Sequence, residues 1–161
     1  FSLRRSAVEN KFMADRLDKF SAEFFGEEGA VGAEASDRLA GIELHAILSK
    51  VYELSDLGSF SGTRAYDMLR KRVSDHPEWF STSGRVYNEA TIFTGKGNSL
   101  RPDKVIIENG SVTVVDYKFG SPKDSYISQV GGYVDLFKEM GYTDVRGYLW
   151  YVYEDSVVRV R

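Results

Sequence analysis

Asn109-Gly110 stands between two runs of β-forming residues, and no other feature restricts the fold of this chain as much. A two-residue type I′ turn needs positive φ at both central positions, which Asn and Gly tolerate, so the flanking runs are predicted to fold back as antiparallel strands. The tight loop also fixes the register. Glu108 opposes Ser111, Asp103 opposes Asp116, and Arg101 opposes Lys118. Because strand side chains alternate between faces, one face is expected to carry Arg101, Asp103, Val105 and Ile107 against Val112, Val114, Asp116 and Lys118. That face is apolar at one end and charged at the other.

Two opposed carboxylates repel, so a partly buried pair must take up a proton, gain cationic neighbours or hold a cation. Hard divalent ions with oxygen ligands fit the last role. Lys118, two residues beyond Asp116 and on the same face, would aim an ammonium at whatever such an ion polarises. The ordinary alternative is the end of an exposed hairpin, whose Asp and Lys side chains form solvated pairs of little energetic weight.

The 161 residues suffice for one domain with a proper core, and the 42% hydrophobic and 14% aromatic content reads as globular. With no cysteine, disulfides and thiolate-bound zinc or iron-sulfur clusters are excluded. No apolar run approaches the length of a membrane span and none resembles a signal peptide, so the expectation is a soluble, cytoplasmic protein with no membrane partner. The net charge of −3 argues against a free-standing, non-specific DNA binder held by bulk electrostatics. A first residue of Phe followed at once by helix-like sequence suggests a piece of a longer polypeptide.

The first half reads helical and the second mostly β. We therefore expect a single domain over 1–161, with a mainly helical portion over 1–80 and a sheet with a crossover helix over 81–161. Ser6 and Glu9 form a capping-box pattern that opens a helix through Phe24. After a flexible stretch over 26–35, a second helix is predicted from Ser36 and Asp37 to about Leu54, with an apolar stripe of Leu39, Ile42, Leu48 and Val51. Gly41 and His45 lie one turn apart beside that stripe, and His45 reads either as a core side chain or as a ligand. A third helix is expected over 63–73, ended by His76 and Pro77, with His76 structural.

Strands are predicted at about 85–94, 100–108, 111–119, 145–153 and 157–161. A helix over 125–140, with Gly141 just past its end, separates the third from the fourth. Strand, crossover helix and strand in this order imply a β-α-β unit and at least one parallel pair. On that helix Gln129 and Tyr133 share a face, and they suit either a polar role at the site or a structural hydrogen bond. Gly131 and Gly132 are read as a steric fit to the sheet.

Taken together, Gly41-x-x-x-His45, Arg101-Pro102-Asp103, Val114-Val115-Asp116-Tyr117-Lys118 and Gln129-x-x-x-Tyr133 resemble the PD-(D/E)xK nuclease superfamily, in particular the C-terminal nuclease domain of RecB- and AddA-type helicase-nucleases. The resemblance covers about 36–161 and implies an α/β fold: a restriction-endonuclease-like core with a mixed central sheet flanked by helices and an N-terminal helical portion. It implies Mg²⁺ or Mn²⁺ bound by His45, Asp103, Asp116 and the backbone carbonyl of Tyr117, with Lys118 catalytic. Gln129 and Tyr133 would shape the site or contact DNA, Arg101 would support substrate binding, and Glu89 would be a supporting carboxylate. The implied activity is exonuclease-type DNA hydrolysis in end processing and recombinational repair, on single-stranded ends delivered by an attached helicase, within a complex that has a partner subunit. No G-x-x-x-x-G-K-[ST] loop is present, so a motor would lie upstream. On this reading, removing either aspartate abolishes cleavage and leaves the fold intact or relieved of repulsion. Two other readings share the fold: a non-catalytic DNA-end or protein-docking module, and a stand-alone structure-specific endonuclease.

Overall fold

A computed structural model describes residues 33–161 apart from 64 and 82, with side chains from residue 40 onward. The expected first helix and most of the stretch over 26–35 lie outside the described residues. Those described fall into two compact units, one ending at Leu48 and the other spanning Ser49–Arg161. The first contributes helix α1, Ala33–Leu48, which buries Gly41, Leu44, His45, Ile47 and Leu48, while Ile42 is half-buried. Leu39 lies outside the described side chains.

The second helix was expected to continue to Leu54, but α1 stops at Leu48 and a 3-10 helix follows at Leu54–Phe60. The cause is a competition for backbone groups. Between the two elements the Val51 carbonyl accepts from Asn88 Nδ2 at 2.9 Å and from Lys104 Nζ at 3.2 Å, while Asp56 Oδ2 accepts from the N–H groups of Tyr52 and Glu53. These bonds satisfy the linker backbone without a helical ladder. Helix α2 spans Tyr66–Ser74, and Pro77 opens the one-turn α3, Pro77–Phe80.

The unit is mixed α/β. Strands β1 (Arg85–Asn88), β4 (Lys104–Glu108), β5 (Ser111–Lys118), β6 (Asp144–Tyr151) and β7 (Ser156–Arg159) form one sheet in the order β1-β4-β5-β6-β7. β5 and β6 are parallel and the other pairs antiparallel, so the sheet is mixed. Asn109 and Gly110 have φ of 51° and 79°, as a type I′ turn requires, and Glu108 opposes Ser111. The crossover between β5 and β6 is helix α4, Asp124–Glu139. It ends in a Schellman motif at Gly141 (φ 104°): Tyr142 N–H donates to Phe137 O and Gly141 N–H to Lys138 O, and the Phe137 and Tyr142 rings pack edge to face.

Two expected strands are interrupted. The run over 85–94 breaks at Glu89, a non-glycine residue at φ 52°, and resumes as the short β2, Ile92–Phe93. The run over 100–108 breaks between β3 (Ser99–Leu100) and β4, where Pro102 has no N–H for a ladder. β2 and β3 pair with each other as a separate hairpin, so Arg101 is not paired across from Lys118.

One sheet face carries Val105, Ile107, Val112, Val114 and Val145 against Tyr133, Val134 and Phe137 of α4. The other carries Tyr117 and Trp150, the latter ringed by Trp79 and Phe80 of α3 at 5.5 and 6.0 Å. His76 belongs to this second layer, stacking on Trp79 at 4.5 Å and binding Asp155 Oδ1 at 2.7 Å, which fits its structural reading. Trp150 Nε1 donates to the same oxygen. Burial pushes the Asp155 carboxyl up, but these hydrogen bonds outweigh it and hold the group below the usual carboxylate range.

The close approach between helix and sheet does not occur at Gly131 or Gly132. A Cβ on Gly132 would meet nothing within 4 Å, and one on Gly131 would make ordinary contact with the Arg161 guanidinium. It is Gly147 of β6 that lies against the helix, where a Cβ would stand 2.7 Å from both Val130 Cγ1 and Val134 Cγ2. Both valines are fully buried and stiff at χ1, so Gly147→Ala is expected to lose about 1–3 kcal/mol by overpacking. Gly132→Ala should gain about 1 kcal/mol from helix propensity. Urea unfolding of both variants checks the contrast, and equal effects would contradict it.

Candidate functional site

At the C-terminal end of β5 the apolar face becomes charged. Asp116 and Lys118 continue the side of Val112 and Val114, as alternation requires. They are not a solvated hairpin end, since Asp103 and Asp116 are 0% exposed and Lys118 is 2%. Lys118 Nζ lies 3.0 Å from Asp116 Oδ2 and donates to Gln129 Oε1 at 3.1 Å. Its charge also sits over the Tyr126 ring, 4.2 Å from the centroid.

From Gln129 a relay runs back to the chain before Asp103. Gln129 Nε2 donates to Tyr133 Oη at 3.2 Å, and Tyr133 Oη donates to the Arg101 carbonyl at 3.3 Å. Both residues of the shared face expected of Gln129 and Tyr133 thus make hydrogen bonds. Gln129 grips the lysine, and Tyr133 anchors the segment that leads into the acid.

The printed register ends at Lys104 opposite Val115, and one step further sets Asp103 across from Asp116. Asp103 has left the ladder, however, and its Oδ2 accepts the Tyr117 N–H at 2.7 Å. A strand residue directs N–H and C=O to the same edge, so the Tyr117 carbonyl faces the side where Asp103 lies. Glu89 joins from just past the end of β1: its N–H donates to the Asp103 carbonyl at 2.9 Å, and carboxylate oxygens of the two residues lie within 4.8 Å. A non-glycine residue at positive φ is unfavourable, and here the unusual backbone turns a buried carboxylate toward a second one. After burial itself, the charges of Asp103, Glu89 and Asp116 are the main causes that push the Tyr117 hydroxyl well above the usual phenol range.

The structure therefore shows two groups on neighbouring stretches of chain: Asp116, Lys118, Gln129 and Tyr133 with the Arg101 carbonyl, and Asp103 with Glu89 and the Tyr117 N–H. His45 belongs to α1 in the other compact unit, where it is buried in the last turn. The Glu89 and Asp103 carboxylates are close enough to share a cation, and oxygen donors of this kind are those that hard divalent ions take.

Two features escaped the sequence reading, one at the site and one on the far side of the sheet. Tyr126 is in no recognised pattern, although it shares a helical face with Gln129 at i, i+3. Lys104 sits at the start of β4 on the opposite sheet face, fully buried, with Nζ 4.5 Å from the Phe80 ring centroid. Burial lowers it from 10.5 to about 7, with Asp56 opposing the shift. A lysine abutting the apolar Val105-Ile106-Ile107 run was its one visible sign.

No family model matches the chain, and no curated protein matches it. No helix among the described residues is long and apolar enough to cross a membrane.

Proposed function

We propose that this chain is a divalent-metal-dependent deoxyribonuclease of the PD-(D/E)xK type, with a restriction-endonuclease-like core, acting as the nuclease portion of a helicase-nuclease. The observation that carries this reading is a buried lysine held by three groups at the end of the strand bearing Asp116, with Asp103 and Glu89 at the adjoining edge. An antiparallel hairpin bearing the acids, followed by a crossover helix to a parallel strand, supports the fold assignment.

Asp103, Asp116 and the Tyr117 carbonyl would hold Mg²⁺ or Mn²⁺, with Glu89 in support; the place of His45 rests on the Gly41-x-x-x-His45 pattern. Such an ion supplies charge neutralisation at the phosphoryl oxygens and an acidified water. The residues of the chain do the rest. The Tyr117 N–H fixes one oxygen of Asp103, which limits the directions from which that carboxylate can bind. Gln129 and Tyr126 restrain Lys118, so its charge meets the developing negative charge without reorganisation.

Incubation with Mg²⁺ or Mn²⁺ and end-labelled linear or covalently closed circular DNA tests the proposal. Degradation of the linear substrate with sparing of the circle is expected for an exonuclease fed by a helicase. Absence of cleavage with either ion would reject it. The Asp116–Lys118 ion pair favours one second reading, a non-catalytic module whose buried charges compensate each other. In that case Mn²⁺ titration should show no saturable site.

A further inference from the structure

Between Glu89 and Asp103 the chain leaves the sheet, forms the β2–β3 hairpin and returns. Both feet of this hairpin are in the candidate site, since the Glu89 N–H donates to the Asp103 carbonyl. Its base is anchored: Ile92 lies in the core with Val105 and Ile107, Leu100 packs on the same cluster, and Tyr133 binds the Arg101 carbonyl. Its tip is ordered by bonds from Thr94 N–H to Asn98 O, from Gly97 N–H to Thr94 O and from Asn98 N–H to Thr94 Oγ1, with Gly97 at φ 81°.

On this firm support Phe93 is 80% exposed, against 48% for the next most exposed large hydrophobic side chain among the described residues. Strand alternation explains the direction, because Ile92 takes the core side and leaves Phe93 outward. An isolated exposed apolar residue is ordinary in itself. Here it stands on a braced hairpin with exposed Lys96 at the bend. Four residues of chain separate Phe93 from Glu89, a reach of at most about 14 Å.

We propose that the β2–β3 hairpin is a strand-guiding finger for single-stranded nucleic acid, in which Phe93 stacks on an unpaired base and Lys96 meets a phosphate. The inference rests on the nuclease reading and adds a basis for preferring single strands over duplex. An exposed aromatic face on a hairpin that also carries a cation suits an unpaired base and its phosphate, whereas bases stacked inside a duplex offer no face to it.

The test uses the full chain and a fluorescein-labelled single-stranded oligonucleotide in Ca²⁺, followed by anisotropy, with a blunt duplex and a fully abasic strand as comparisons. Phe93→Ala should weaken binding of the base-bearing strand about 5- to 100-fold. Phe93→Trp should retain affinity, and neither variant should alter binding of the abasic strand. Lys96→Ala should lower the salt dependence by about one charge. Wild-type affinity of Phe93→Ala for the single strand, beside normal cleavage by the parent protein, overturns the finger and leaves the nuclease reading standing. A parent protein that neither binds nor cleaves DNA overturns both.

Discussion

Asp116→Ala is expected to lose metal-dependent cleavage by at least about 10²–10³-fold and also to destabilise the protein. The loss of rate follows from removing a preorganised charge from a buried site. The loss of stability is the less obvious half, because deleting a repelling carboxylate would by itself relieve the fold. Asp116 Oδ2 is 3.0 Å from Lys118 Nζ, and both residues are buried. Removing the carboxylate leaves the Lys118 ammonium on Gln129 and the Tyr126 ring but takes away its buried counter-charge, which costs about 3–5 kcal/mol. Asp103→Ala has its own structural cost, because the buried Tyr117 N–H would lose its acceptor, a penalty of about 1–3 kcal/mol.

The pair variant Asp116→Asn with Lys118→Met separates the two effects. Replacing a buried ion pair with neutral groups of similar size is often close to neutral in stability. The double variant should therefore recover most of the stability and none of the activity. Cleavage by Asp116→Ala at the parental rate in Mg²⁺ or Mn²⁺ would defeat the assignment. Chemical denaturation of the parent, Asp116→Asn, Lys118→Met and the double variant would show whether the stability coupling is present.

The second large effect concerns Lys104. Its ammonium is enclosed by Phe80 and Tyr52 and lowered by burial to about 7, below its unfolded value of 10.5. Between those values the unfolded chain binds more protons than the folded one. The contribution of Lys104 to stability therefore rises as pH increases from about 7 to 10.5 and is least favourable, and flat, below about 7. Lys104→Met should add a few kcal/mol at neutral pH and remove that rise. Little is lost in exchange, because the Val51 carbonyl keeps its bond from Asn88 Nδ2. Urea unfolding of both proteins at pH 6, 7.5 and 9 gives the difference directly. A stability gap that does not narrow between pH 7.5 and 9 would contradict the buried-lysine account.

What could be read from the sequence was local chemistry. Asn109-Gly110 dictates its own backbone and therefore the register of β4 with β5, and Gly141 stops α4 where a left-handed residue is needed. The face bearing Asp116 and Lys118, the shared face of Gln129 and Tyr133, and the β-α-β crossover followed from periodicity and connectivity. The features missed depend on groups distant in the chain. Nothing near Leu48 announces that Asn88 and Lys104 will take the Val51 carbonyl. Neither Glu89 nor Pro102 shows by itself that the segment between them will pair separately as a hairpin. Tyr126 gained meaning only when Lys118 was seen to lie over its ring.

Gly147 has a bearing on chemistry that it never touches. By allowing Val130 and Val134 to settle into the sheet, it sets how far the amide of Gln129, one residue before Val130, must extend to grip Lys118. A methyl group there would act as a shim, lifting the helix and slackening the hold on the ammonium. On the proposed nuclease reading, cleavage should then slow although every residue of the candidate site is still in place.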